Sequence, residues 1–232
     1  ILGFEYTQTL YLDVYEPEGD NVNERPLIIF MFGGAFVSGS KNSPVMQELC
    51  TRYAKMGYVA SAIDYRLTPT LIWNGSEENA YKAVLKAIHD LKAAIRYFRM
   101  NDSLYDDFGV DTSRIYTGGS SAGAIASVNT AYLNEENEIP ELVIDFVNES
   151  GGLEGLSGNP SFDSHFYGIV NLCGAVGDTN WIEFNDISIV SVHGDEDTVV
   201  PYADDLVTLF GINLQVYGSY SIHQIMIDFG NQ

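Results

Sequence analysis

Three stretches of the sequence carry side chains that together could perform nucleophilic catalysis. Ser121 stands at the centre of a G-x-S-x-G spacing in the stretch RIYTGGSSAGAIA, residues 114–126. The turn HGDEDTVVP, residues 193–201, is rich in carboxylates, and His223 follows it in the chain. A serine, a carboxylate and a histidine in this chain order can supply a nucleophile, an orienting acid and a general base.

The glycine-serine stretch is typical of a strained turn between a strand and a helix. Gly119 and Gly123 lie two residues on either side of Ser121, where a Cβ would collide with neighbouring backbone in so tight a corner. The helix that follows would direct its N-terminal amides at the serine. The alternative is a glycine-rich helix start without catalytic meaning, which a five-residue pattern alone does not exclude.

The acid and the base have fewer candidates. Only His223 follows the acid turn, whereas we expect His89 on the surface of a long amphipathic helix and His165 in a loop before a strand. His193 ends its strand, and we predict that it braces the acid turn by hydrogen bonds. A loop histidine without catalytic function is the alternative for His223, and Asp178 is the alternative acid.

A second glycine turn follows the apolar run at residues 27–32. It reads Gly33-Gly34-Ala35-Phe36, and its small residues would let backbone N–H groups approach a substrate oxygen. We therefore predict an oxyanion hole at this turn.

The elements that must position these groups alternate between strand and helix. Short continuous apolar runs predict strands that are buried on both faces, at residues 27–32, 59–63, 114–117, 168–172 and 187–192. Helices are predicted at 44–56, with Ser43 as N-cap, at 77–100 and after Ser121. We also predict an edge hairpin from 4–9 and 10–15, and a last strand at 214–217 that leads into a loop carrying His223. This order favours an α/β fold with a mostly parallel, doubly wound sheet, helices on both faces and a site at the carboxyl ends of the strands.

Length and charge narrow the classes of protein further. The 232 residues, of which 46% are hydrophobic, fit a single domain spanning residues 1–232, and the net charge of -21 argues against nucleic acid as a partner. No apolar run approaches the roughly 18 residues that cross a bilayer, so we expect a soluble protein. The chain starts with Ile, which favours a processed, secreted or periplasmic product and leaves a cytoplasmic location open. Cys50 and Cys173 are expected to be two buried thiols, with a disulfide as the alternative.

Four blocks together resemble the α/β-hydrolase serine esterases, close to the carboxylesterase and hormone-sensitive-lipase-like groups. The blocks are GGAF at 33–36, DYRL at 64–67, GGSSAGA at 118–124 and HGDEDTVVP at 193–201. Phe32 departs from the pattern, because many members carry a histidine there. The chain also stops nine residues after His223, whereas the family usually closes with a longer helix.

The resemblance implies a role for individual residues. Ser121 would be the nucleophile, Asp197 the acid and His223 the base. The backbone N–H groups of Gly34, Ala35 and Ala122 would form the oxyanion hole. Asp64 and Arg66 would be structural.

The remaining expectations concern the substrate. We expect substrate contacts from Phe36, Ser120 and Trp181, a small cap inserted at 134–164, and neither a metal nor a cofactor. The predicted activity is hydrolysis of short-chain, aryl or carbohydrate-linked esters through an acyl-enzyme. A serine peptidase of the same fold and a non-catalytic, cholinesterase-like binding module are the alternatives.

Overall fold

The computed structural model describes residues 7–19 and 22–230. Within these residues the strands are β1 Leu12–Tyr15, β2 Arg25–Met31, β3 Val59–Ile63, β4 Val110–Ser120, β5 Gly168–Leu172, β6 Ala175–Val176, β7 Ser188–Val192, β8 Asp204–Leu209 and β9 Ile212–Gly218. The α-helices are α1 Pro44–Lys55, α2 Thr70–Trp73, α3 Glu77–Leu104, α4 Ala122–Tyr132, α5 Ile144–Glu149 and α6 Ser219–Asp228.

A six-stranded sheet in the order β1-β3-β2-β4-β5-β7 forms the centre of the molecule. Strand β1 pairs antiparallel with β3, and the other neighbours pair in parallel. Long crossovers through helices join the parallel strands, as parallel pairing requires. The predicted mostly parallel, doubly wound sheet is confirmed, and Leu27, Ile29, Met31 and Ile115 in its centre are inaccessible to solvent.

The predicted elements mostly agree with the described ones. Strands β3 and β5 have the predicted bounds, and helix α1 begins at Pro44 with the Ser43 hydroxyl accepting from Met46 N–H. The predicted strand at 4–9 lies partly outside the described residues, and the structure has no strand at 7–9. The predicted last strand does not join the main sheet, because β9 pairs antiparallel with β6 and β8.

Strands β8 and β9 form a hairpin, residues 204–218, in which β9 contains the predicted strand at 214–217 and β8 was not predicted. The hairpin turns through Phe210 and Gly211, both of which have positive φ, of 52° and 80°. At the turn the Phe210 ring lies 5.5 Å from the ring of Trp73, in α2. The hairpin therefore reaches from the end of β7 to the segment that follows β3, both at the carboxyl end of the main sheet.

The segment 134–164, where we expected a cap, packs along α3. His89 Nε2 lies 2.9 Å from the Gly152 carbonyl, and Arg96 donates to the carbonyls of Ser157 and Gly158. Both side chains are 2% exposed. The expectation of a surface His89 is wrong, because this distant segment covers its face of the helix.

Strand β7 is the last strand of the described sheet, and one of its faces is open. Val190 is 59% exposed and Val192 is 68% exposed, whereas Ile189 and Ser191 on the opposite face are half-buried. Helix α1 covers the equivalent face near β2 and β3, where Phe30 contacts Tyr53. The apolar surface at β7 is thus the uncovered end of an otherwise sandwiched sheet.

Within the described ranges, no helix combines the length and the apolar character needed to cross a membrane. Cys50 and Cys173 are free thiols, as expected, although Cys173 is half-buried rather than fully buried. Burial raises the pKa of Cys50 to about 12, so this thiol stays protonated at neutral pH.

Candidate active site

Ser121 occupies a strained corner between β4 and α4. Its φ of 53° and ψ of -119° are unusual for a residue with a side chain, and its N–H is held by the Leu172 carbonyl at 2.9 Å. The Ser121 side chain does not cap the helix. Ser121 is half-buried and follows the carboxyl end of β4, and its hydroxyl makes no capping hydrogen bond to the helix.

The positions two residues before and after Ser121 have no room for a side chain. A Cβ on Gly119 would overlap the backbone of Gly123, and a Cβ on Gly123 would overlap the carbonyls of Met31 and Phe32 at the end of β2. The predicted reason for the G-x-S-x-G spacing is confirmed. These contacts press the start of α4 against the end of β2 and fix the direction of Ser121.

The turn after β2 lies directly beside Ser121. A Cβ on Gly33 would stand 2.9 Å from the Ser120 carbonyl oxygen and 3.2 Å from the Ser121 Cβ. Gly34 and Ala35 both have positive φ, of 131° and 52°, and the Gly34 carbonyl accepts from two later amides of the turn. Among the described hydrogen bonds, none uses the N–H of Gly34 or Ala35. These two amides thus have no hydrogen-bond partner among the described residues.

An aromatic pair supports this turn in place of the absent histidine. The Phe32 ring stacks on Tyr65 with ring centroids 4.3 Å apart, and the Tyr65 hydroxyl donates to the Phe32 carbonyl at 2.8 Å. Both residues are 2% exposed. Arg66, in the same DYRL block as Tyr65, forms an ion pair with the buried Asp90 on α3, with Nε and Oδ1 2.9 Å apart.

The acid turn after β7 is held by His193. Its imidazole is 1% exposed, and its Nε2 lies 3.0 Å from the Val200 carbonyl, which can only accept. The prediction that His193 braces this turn is confirmed. Asp197 Oδ1 accepts from the N–H groups of Val199 and Val200, while Oδ2 lies 3.7 Å from His193 Nε2, too far for a hydrogen bond.

His223 lies on helix α6 rather than in the predicted loop. Its Nε2 is 3.0 Å from Ser191 Oγ, on β7. Burial lowers the pKa of His223 below its ordinary value, so the imidazole is neutral at neutral pH. Ser219, at the start of α6, is buried and accepts from Asn171 of β5 at 3.0 Å, which ties this end of the helix to the sheet.

A chain of hydrogen bonds joins the two histidines. Asn171 Oδ1 accepts from Gly174 N–H, which leaves its amide group to donate to Ser191 Oγ and Ser219 Oγ, each at 3.0 Å. His193 Nδ1 lies 2.8 Å from Ser219 Oγ, which completes the chain. Because Ser191 Oγ accepts from Asn171, the Ser191 proton remains available to His223 Nε2.

The structure brings some of the predicted residues together and separates others. Ser121 lies beside the predicted oxyanion turn, and Ala122 N–H begins the helix that follows. Within the described residues, no hydrogen bond joins Ser121 to His223 or His223 to Asp197. Asp178, the alternative acid, accepts from Asn180 N–H and thereby begins a short 3-10 helix.

The residues expected to contact the substrate differ in accessibility. Phe36 is 4% exposed and packs edge-on against Tyr65, with ring centroids 6.1 Å apart, so its side chain belongs to the core. Ser120 is half-buried at the end of β4. Trp181 is 7% exposed and lies against Gly177, beside an apolar cavity that α3, α4 and β9 enclose.

Three polar residues of this hydrogen-bond chain, Asn171, Ser191 and Ser219, were not among the predicted site residues. Asn171 is fully buried in the otherwise apolar strand GIVNL, and a polar residue in such a strand is a usable signal because it must find partners. Nothing in the sequence distinguished Ser191 or Ser219 from surface serines.

Comparison with known proteins gives one family match and several relatives. The BD-FAE family model matches residues 12–172, more than half of the chain. Esterase LipC of Mycobacterium tuberculosis is 33% identical over 134 residues, covering 56% of this chain and 30% of LipC. Lipase 1 of Geotrichum candidum is 29% identical over 120 residues, covering 50% of this chain and 21% of the lipase. The chain thus spans less than a third of the length of these curated relatives.

Solved structures share the fold. A thermophilic esterase of Thermogutta terrifontis, Est2 with propionate bound, has a TM-score of 0.66 at 22% identity, covering 96% of this chain and 75% of that one. The same esterase phosphorylated by paraoxon gives a TM-score of 0.66 at 22% identity, covering 96% and 74%. The architecture is therefore that of the α/β-hydrolase fold.

Proposed function

The chain belongs to the BD-FAE family, and on that premise we propose that it is a serine hydrolase that cleaves carboxylic esters. The observation that carries the proposal is the backbone of Ser121, held at a φ of 53° beside a turn with two free amides. Strain at a serine persists only where the surrounding structure imposes it, and such strain concentrates at functional sites. Relatives of this chain named esterase and lipase support ester bonds as the target.

In the proposed reaction Ser121 Oγ attacks the carbonyl carbon of the ester and its proton passes to His223. The amides of Gly34, Ala35 and Ala122 receive the negative charge that forms on the carbonyl oxygen. The protonated imidazole returns the proton to the departing alcohol, which leaves an acyl-enzyme on Ser121. Water then attacks the acyl group with His223 again as base, and the carboxylic acid is released.

For His223 to act as the base, its imidazole must change its hydrogen-bond partner. His223 Nε2 bonds to Ser191, so the imidazole serves Ser121 only after it exchanges one serine for the other. We propose that Asp197 then orients the His223 imidazole. Its Oδ2 can accept from His223, because it makes no close hydrogen bond to His193. The neutral state of His223 at neutral pH supports its use as a base, since only the neutral form accepts a proton.

One observation favours the second candidate function, a non-catalytic binding module. No hydrogen bond joins His223 to Ser121 among the described residues. This arrangement is expected of a protein that keeps the nucleophile turn but does not catalyse hydrolysis. The two candidates differ in a direct measurement, which is the release of p-nitrophenol from p-nitrophenyl acetate. We expect release by the parent protein and none by Ser121→Ala, and equal rates in both would favour the binding module.

The substrates we propose are esters of short-chain acids with small, aryl or carbohydrate-linked alcohols. The proposal rests on Trp181, whose ring lines the apolar cavity beside α4, and on the small size of that cavity. A panel of esters in which the acid and the alcohol are varied separately tests it. Peptide substrates belong in the same panel, because cleavage of an amide bond would favour a peptidase instead.

A further inference from the structure

Asn171 is a fully buried amide on β5, in the hydrogen-bond chain that reaches His223. Its register partners are Gly119 on β4 and Ser191 on β7. Gly119 precedes Ser121, the proposed nucleophile, by two residues. Asn171 therefore lies between the strand that leads into the proposed nucleophile and the strand whose serine bonds to the proposed base.

The orientation of the Asn171 amide follows from one backbone contact. The Gly174 N–H can only donate, so the atom 2.7 Å from it is the side-chain oxygen of Asn171. The amide nitrogen, which can only donate, therefore faces the hydroxyl oxygens of Ser191 and Ser219, each at 3.0 Å. Both hydroxyls accept from Asn171, and each keeps its own proton for another partner.

The Ser191 proton decides which ring nitrogen of His223 carries hydrogen. Ser191 Oγ lies 3.0 Å from Nε2, and among the described hydrogen bonds this is the only one that the ring makes. The ring is neutral at neutral pH because burial lowers the pKa of His223. A neutral imidazole that accepts at Nε2 carries its proton on Nδ1.

We propose that Asn171 is a positioning residue that fixes the tautomer of His223 through Ser191. A general base for Ser121 needs this same tautomer, with Nε2 as the acceptor and Nδ1–H directed at a carboxylate. The imidazole can then exchange Ser191 for Ser121 without first moving a proton between its two nitrogens. The catalytic part of this inference rests on the proposed function, whereas the tautomer does not.

The substitution Asn171→Asp reverses the direction of the chain with little change in shape. A carboxylate only accepts, so Ser191 must donate to it and must accept from His223 Nε2–H. The Gly174 N–H and the two serine hydroxyls supply donors to the new charge, which favours its ionised form. We expect the proton of His223 to lie on Nδ1 in the parent and on Nε2 in Asn171→Asp.

Long-range ¹H–¹⁵N correlation spectra identify the protonated nitrogen of each imidazole without catalysis, and loss of signals in His223→Gln assigns this ring. The spectra are recorded at about pH 9, above the ordinary histidine pKa of ~6.5, so that the rings are neutral. His89 is the internal reference for the opposite tautomer, because its Nε2 lies 2.9 Å from the Gly152 carbonyl, which only accepts. A parent in which His223 carries its proton on Nε2 overturns the inference, whether or not any variant folds.

The double variant Asn171→Asp/Ser191→Ala is the control for the buried charge. It keeps the carboxylate and removes the hydroxyl that would transmit its effect. We expect the His223 tautomer to be the same in the double variant and in Ser191→Ala. A difference between these two would mean that the charge acts on the ring directly, and it would overturn the inference, as would an unchanged tautomer in Asn171→Asp. Thermal melts confirm that the proteins compared are folded.

Rates separate the inference from the proposed function. Because Asn171→Asp holds the wrong tautomer, we expect its kcat/KM for p-nitrophenyl acetate to fall about tenfold, the effect of roughly one hydrogen bond, and to recover in the double variant. A proton that moves to Nε2 without a fall in rate overturns the catalytic part of the inference. A parent that hydrolyses no ester overturns the proposed function, while the spectra still decide the tautomer.

Discussion

His223 Nε2 lies 3.0 Å from Ser191 Oγ on β7, two strands across the sheet from β4, the strand that leads into Ser121. The pair has the atoms of a nucleophile and its base, but the serine belongs to β7 rather than to the elbow. Asn171 donates to Ser191 and thereby leaves the serine proton for the histidine. His223 Nε2 is thus placed to accept the proton of Ser191, and catalysis at the elbow requires that it serve Ser121 instead.

Labelling with a fluorophosphonate identifies the reactive serine. We expect a single adduct on the peptide that contains Ser121, because a serine beside free amides attacks phosphorus most readily. Ser127→Ala is a matched control on the same helix, where the buried hydroxyl has no partner among the described residues. That variant should label as the parent does. An adduct on Ser191 would contradict this prediction, because it would place the nucleophile on β7 rather than at the elbow after β4.

Removing the competing hydroxyl should release the base. In Ser191→Ala the imidazole loses a hydrogen bond of about 1 kcal/mol, which corresponds to about a fivefold larger population free to reach Ser121. We therefore expect kcat/KM for p-nitrophenyl acetate to rise about fivefold. Ser188→Ala, on the exposed face of the same strand, controls for a general effect on β7. A fall in Ser191→Ala alone would mean that Ser191 positions the histidine for catalysis.

Substitution of the two candidate acids should separate them. Both Asp197 and Asp178 accept from a backbone N–H two residues later, so Asn replacements disturb similar local turns. We expect Asp197→Asn to lower kcat by about three to four decades, as loss of the orienting acid does in serine triads, and Asp178→Asn to have little effect. The reverse order would move the acid to Asp178.

The pH profile of the reaction reports on His223. Burial lowers its pKa from an ordinary value of ~6.5, so the neutral base persists to lower pH than in an exposed histidine. We expect kcat/KM to rise with pH and to have its midpoint below pH 6.5. Because kcat/KM reports the free enzyme, a midpoint above that value would mean that Asp197 already lies beside His223 before substrate binds, since a nearby negative charge raises the pKa of an imidazole.

The free energy of unfolding should decrease at acidic pH because His89 is buried. Burial lowers its pKa to about 4 in the folded protein, against about 6.5 when unfolded. The unfolded chain therefore binds a proton between pH 6.5 and 4 that the folded protein does not, and the free energy of unfolding decreases as pH falls through this window, by roughly 3 kcal/mol.

Denaturant unfolding of parent and His89→Gln at pH 7 and pH 4.5 measures this contribution. The Gln side chain can still donate to the Gly152 carbonyl but does not ionise in this range. We expect the difference between the two pH values to shrink in His89→Gln and to remain in His165→Gln, where the histidine is exposed. Equal pH dependence in all three proteins would contradict the burial of a neutral His89.

Local patterns predicted the parts of the fold that local chemistry determines. The apolar runs at β3 and β5, the Ser43 cap and the glycines beside Ser121 are each decided within a few residues, and the structure agrees. Strand β8 was missed because its sequence DDLVTL is mostly exposed and shows no alternation. It forms because β9 offers a partner, and a turn through Phe210 is not a usual hairpin signal.

The candidate site divides in the same way. The elbow and its neighbouring turn are encoded by short motifs. The position of His223 depends instead on the packing of α6 against β6 and β9 and on the hydrogen bonds of Ser191 and Asn171. A helix period predicts that one face is buried, but it does not predict that residues 152–158 will cover the polar face and bury His89. Contacts of this kind join residues more than fifty positions apart, and no local pattern reports them.

The open edge at β7 has a consequence for how this protein behaves at high concentration. Its backbone groups and the exposed Val190 and Val192 form a template on which another strand can add, and the segment SIVSV carries no lysine or proline to prevent it. All Lys and Arg residues lie between Arg25 and Arg114, so residues 115–232 carry only acidic charges. Mutual repulsion between copies is then what opposes strand-to-strand aggregation, and this repulsion weakens in concentrated salt, which screens the charges, and in acid, which protonates the carboxylates.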